Sequence, residues 1–160
     1  MRNVKVLYVP REQKQDYGLG SIFLAGPTPR SKDVKSWRPE FIDVLDKKRV
    51  KCSVFVPETS KGDWLGNFEK QCNWEYEHLH KASVIVFWVP RELETMPAFT
   101  TNVEFGFWMA KAPGRVFYGR PDNTPKTKYL DWLYAKQTSG MSPVSNIEDL
   151  AHNVVGFLTA

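Results

Sequence analysis

A chain of 160 residues with 42% hydrophobic and 25% charged side chains carries enough apolar content for one folded domain and too much for a disordered segment. Its net charge of +4, from 22 basic and 18 acidic residues, is mild, and the absence of any long run of like charge excludes a dedicated nucleic-acid arm. Two cysteines, Cys52 and Cys72, are too few for a disulfide framework or a zinc site and read as reduced thiols. The opening residues, Met1 to Gln13, lack the apolar core of a secretory signal. No apolar run approaches the roughly 18 residues of a membrane helix, so a cytoplasmic protein is expected.

In chain order, apolar runs alternate with helical patterns. Val4 to Val9, Ser21 to Ala25, Cys52 to Val56, Val84 to Val89 and Arg115 to Tyr118 predict strands. Val84 to Val89 is the longest apolar run, as expected of a central strand buried on both faces. Trp37 to Lys48, Trp74 to Lys81, Thr101 to Lys111 and Tyr129 to Lys136 predict helices. A last helix follows the capping-box pattern Ser145-x-x-Glu148. Strands alternating with helices imply a parallel sheet, and ligands in such sheets sit beyond the carboxyl ends of the strands. Three segments leave strands there: Gly26-Pro27-Thr28, Trp88 to Arg91, and Gly119-Arg120-Pro121. The irregular stretches Thr59 to Asn73 and Arg91 to Thr100 are long enough to be functional loops.

The chemistry concentrates in Thr100 to Gly106. Glu104 is expected in the first turn of a helix, where the dipole would hold its carboxylate ionised. An ionised carboxylate at a pocket edge can act as a nucleophile. The spacing Thr101-x-x-Glu104 is also a capping box, in which the glutamate only bonds the backbone, and spacing alone favours that bland alternative. Glu75, ahead of the helix that leads to the central strand, is a second candidate acid able to hand a proton to a leaving group. His78 and His80 have no partner at metal spacing and read as surface or packing residues. Arg38 reads as one half of a surface ion pair. Trp88 reads equally as core or as a stacking platform. Arg91 is placed to face an anion or to pair with Glu104.

Four pieces taken in order resemble the nucleoside 2-deoxyribosyltransferase superfamily, in particular its deoxyribosyltransferase-like branch. They are Ile22-Phe23-Leu24-Ala25-Gly26-Pro27-Thr28, Trp74-Glu75, Phe87-Trp88-Val89-Pro90-Arg91 and Thr100 to Gly106, and the likeness spans about residues 21 to 135. The resemblance implies one domain over residues 1–160 with a flavodoxin-like three-layer α/β fold. Its sheet would be mainly parallel and five-stranded, with room for an extra N-terminal strand. It implies a double displacement in which Glu104 attacks the anomeric carbon and Glu75, where the family usually has aspartate, serves the base.

Phe23 falls where the family often carries a tyrosine beside the nucleophile, and Ala98 where it carries a sugar-holding aspartate. Ala25, Gly26, Pro27, Thr28 and Trp88 would then line the substrate, with Asn102 or Arg91 taking the missing aspartate's part. Neither step needs a metal or cofactor. Three readings follow: a transferase exchanging bases on deoxynucleosides, an N-glycoside hydrolase using water, and a non-catalytic nucleotide-binding module. Arg30, Arg38, Arg91 and Arg120 suit a phosphorylated substrate. The expected partner is a small nucleoside or nucleotide rather than a nucleic-acid polymer or a membrane, and the superfamily's habit implies a homo-oligomer.

Overall fold

A computed structural model describes residues 2–160. The order of elements is β1 (Val4–Tyr8), β2 (Ser21–Ala25), α1 (Arg38–Lys47), β3 (Cys52–Val56), α2 (Phe68–Lys81), β4 (Val84–Trp88), α3 (Phe99–Lys111), β5 (Val116–Gly119), α4 (Lys128–Gln137) and α5 (Ile147–Leu158), with a short 3₁₀ turn before β5. The five strands form one sheet in the order β1-β3-β2-β4-β5, every pair parallel. The sheet is thus five-stranded as expected, but the N-terminal strand is one of the five: it takes the edge beside β3.

Each of β2, β3 and β4 is buried along its whole length, so alternate side chains feed two separate cores. Phe23, Phe55, Ile85 and Phe87 pack under α2, α3 and α4 with Trp74, Phe105, Trp108 and Tyr134. Ile22, Leu24, Val54 and Val86 pack under α1 and α5 with Phe41, Leu45, Leu150 and Val154. The result is the three-layer, flavodoxin-like sandwich. Among the described residues no helix is long and apolar enough to cross a membrane.

Helix starts depart from the sequence expectation in three places. α2 begins at Phe68, because Asn67 caps it by accepting from the Lys70 amide at 3.0 Å, so the expected loop ends early and Glu75 lies inside the helix. α3 begins at Phe99 after Ala98, whose backbone is left-handed with φ of 60°. Thr101 is therefore inside the helix rather than its cap, and Glu104 stands in the second turn. At α5 the cap is Asn146, accepting from the Asp149 amide at 2.8 Å, one residue after the serine of the expected box.

The chain reverses direction across the sheet at β2. The connection through α1 steps to β3 on one side, and the connection through α2 steps back over β2 to β4 on the other. The carboxyl ends of β2 and β4 therefore border a crevice, the usual ligand position of such sheets.

Candidate active site

At that crevice lies a cavity of about 270 Å³. Its walls come from the turn after β2 (Ala25 to Thr28), Arg30, Arg38, Pro57 and Trp64, the loop into α3 (Pro97 to Thr101), and two carboxyl groups, Glu75 and Glu104. The turn can sit so close because of Gly26. Its φ is +134°, and a Cβ there would lie 2.2 Å from the Trp88 carbonyl oxygen.

Glu75 comes from α2 and Glu104 from α3, two helices on the same face of the sheet. The buried stripe of α2 runs Gln71, Trp74, His78 and Leu79, and that of α3 runs Thr101, Phe105, Trp108 and Met109. Each glutamate falls on its helix's stripe at i+3 or i+4 spacing, so both side chains turn inward and meet. The two carboxyl groups lie within hydrogen-bonding reach of each other and compete for the same proton. Glu75 also accepts from the Gln71 side-chain amide at 2.5 Å, while the same amide donates to the Pro57 carbonyl at 2.9 Å.

Burial and the neighbouring Glu75 charge push Glu104 up to about 8, against a smaller pull downward from Arg38. Burial also raises Glu75, while Gln71, Arg38 and the bond from Glu104 lower it. This reverses the expectation of an ionised Glu104. Glu104 is not in the first turn, where the helix dipole acts, but in the second, and desolvation beside a like charge dominates. The pair holds one proton between its two carboxyl groups near neutral pH.

Arg38 is the counter-charge, and here too the structure corrects the sequence reading. Arg38 is 1% exposed rather than on the surface. It donates through Nε to the Leu24 carbonyl (2.9 Å), through Nη2 to the Gly26 carbonyl (2.8 Å), and through Nη1 to Thr28 Oγ1 (3.1 Å) and Glu58. Glu58, also buried, accepts a second bond from Ser36 Oγ at 2.9 Å. The signal was present in the sequence. Arg38, Phe41, Ile42 and Leu45 form the buried stripe of α1, and a cation on an apolar stripe demands a buried partner.

Other expected residues lie elsewhere. Arg91 neither faces the cavity nor pairs with Glu104. It is buried and donates to Asn102 Oδ1 and to the Lys126 and Pro125 carbonyls, fastening the loop before α4. Asn102 is exposed and engaged with Arg91. Trp88 belongs to the core under α1 and α5, on the face away from the two glutamates. Phe23 packs 6.2 Å from the Trp74 ring, in the core beneath the two glutamates, and is not part of the cavity wall. Arg120 is held by Asp131 at 2.7 Å. His78 is fully buried and stacks on Trp74 at 4.0 Å, while Ala98 lines the cavity.

Residues the sequence did not single out complete the site. Trp64 and Phe99 line the cavity yet remain 47% and 68% exposed, so both stand at its mouth. Gln71 and Glu58 order the charges from behind.

Residues 20–122 match a protein-family model described as nucleoside 2-deoxyribosyltransferase like. No curated protein matches the chain. The matched stretch contains both glutamates, Arg38, Glu58, Gln71 and every residue of the cavity wall.

Proposed function

The chain belongs to the nucleoside 2-deoxyribosyltransferase like family, and on that premise we propose that it transfers the glycosyl group of a 2′-deoxynucleoside between bases, with Glu104 as nucleophile and Glu75 as proton carrier. The observation that carries this reading is the hydrogen-bonded pair of carboxyl groups sharing one cavity with two exposed aromatic rings at its mouth. A planar base suits a site rimmed by Trp64 and Phe99. The anomeric carbon is the natural target of a carboxylate beside it.

The proton economy of the pair fits both half-reactions. On binding, the shared proton settles on Glu75. Glu75 gives it to a ring nitrogen of the base as the C1′–N bond breaks and its electron pair stays with that nitrogen. The Glu104 carboxylate, now ionised, forms an ester with C1′. In the second half an incoming base nitrogen attacks C1′, the ester oxygen leaves as the Glu104 carboxylate, and the base's proton returns to Glu75. Arg38 limits the negative charge that builds on the pair when the proton departs.

Incubation with a panel of 2′-deoxynucleosides and their 5′-monophosphates followed by intact-mass spectrometry tests the reading. Wild-type protein should gain one deoxyribosyl or deoxyribosyl-phosphate mass, and Glu104→Ala should gain none. A new nucleoside after addition of a second base marks transfer, whereas free sugar marks water as the acceptor. Absence of any adduct and of any base release would sink the proposal.

A further inference from the structure

A second cavity, of about 850 Å³, adjoins the first, and Arg30 and Arg38 line both. Resting on the glycosyl-transfer reading, we infer that this second cavity receives a phosphoryl group on the substrate sugar, so that the substrate is a nucleoside 5′-phosphate rather than a free nucleoside.

Of the arginines that suit a phosphorylated substrate, three are already committed. Arg38 is bound by Glu58, Arg91 by Asn102 and backbone carbonyls, and Arg120 by Asp131. Arg30 is exposed and in no ion pair among the described residues. The second cavity adds Lys32, Lys35 and Lys61, all exposed and likewise outside every ion pair among the described residues. Of the carboxylates in its wall, Glu58 is bound by Arg38 and Ser36, and Asp63 accepts from the Thr59 hydroxyl. Four cations outside every ion pair among the described residues therefore line a wall whose two carboxylates are Glu58, neutralised by Arg38, and Asp63.

The amino end of α1 contributes Arg38 and Pro39 to the same wall. A sugar with C1′ at Glu104 carries its 5′ carbon outside the ring. A phosphoryl group on that arm would meet the second cavity at its shared wall, Arg30 and Arg38.

Binding to Glu104→Gln, which keeps substrate intact, is measured by calorimetry for a 2′-deoxynucleoside and its 5′-monophosphate. The monophosphate should bind at least about tenfold more tightly, as charge-assisted contacts to phosphate do. That advantage should shrink as salt rises. It should vanish in a Lys32→Gln/Lys35→Gln/Lys61→Gln variant, and in part in each single variant, which keeps the test intact if the triple variant does not fold. Equal binding of the two compounds, or an advantage that the lysine variants retain, overturns the inference. Base release by the wild-type protein separates the two readings. Tight monophosphate binding without turnover leaves the phosphoryl site standing and removes the glycosyl-transfer reading, and equal cleavage and equal binding of both compounds does the reverse.

Discussion

Glu104 and Glu75, from two neighbouring helices, meet within hydrogen-bonding reach, and the charge of the buried Arg38 lowers both. The pair behaves as one titrating unit with a single proton to give.

Activity should therefore follow a bell in pH. On the acid side both carboxyl groups are protonated and no nucleophile remains. On the alkaline side the last proton leaves near the value to which burial raises Glu104, about 8, and the base can no longer be protonated. A pH profile of kcat/KM that stays flat from pH 6 to 10 contradicts this.

Glutamine at position 104 should stabilise the fold while abolishing chemistry. The folded-state pKa of Glu104 lies above its ordinary 4.5, so the stability it contributes is complete below that value and is lost as pH rises through about 8. Glu104→Gln imitates the protonated acid and can still donate to Glu75. Its unfolding free energy should exceed that of wild type by a margin that widens between pH 5 and 8, reaching roughly 1–3 kcal/mol in chemical denaturation. A constant or negative margin across that window would count against the buried, proton-sharing pair.

Breaking the Arg38 ion pair on one side only should be costly. Glu58→Gln leaves a buried guanidinium short of its counter-charge and should destabilise by about 3–5 kcal/mol in chemical denaturation. Replacing both partners, as Arg38→Met with Glu58→Leu, should cost less. The same double variant removes the positive charge that lowers both active-site carboxyl groups, so the alkaline limb of its activity profile should move to higher pH.

Backbone geometry gives a fourth test. Gly26→Ala places a methyl carbon 2.2 Å from a carbonyl oxygen in a conformation with φ of +134°. A loss of at least about 2 kcal/mol is expected, with the cavity distorted as well. Ala98→Gly should act in the opposite sense: φ there is 60°, and glycine relieves a left-handed alanine by about 1 kcal/mol. Thermal melts of the two variants should fall on opposite sides of the wild type.

Strand identities and the parallel sheet were legible because β2, β3 and β4 are short apolar runs cut off by glycine or proline. The placing of function at the carboxyl end of β2 followed from that architecture. Helix starts were less legible. Asn67 and Ala98 begin their helices before any apolar periodicity is visible, and Thr101-x-x-Glu104 imitates a cap that the chain does not use. Charge states were misread with them, because a carboxyl group's pKa depends on a neighbour in another helix. Arg38 and Gln71 could have been found by asking which polar residues interrupt an apolar stripe. Arg91 could not, since its partners lie in a loop far along the chain.

The guanidinium of Arg38 belongs to the helix layer opposite the two glutamates, is held at the last carbonyls of β2, and acts on both acids through its charge. The sheet therefore does not insulate its two sides from each other. A shift of α1 by a fraction of an ångström, from a contact on the far side of the molecule, would be registered at the acids as a change in electrostatic potential.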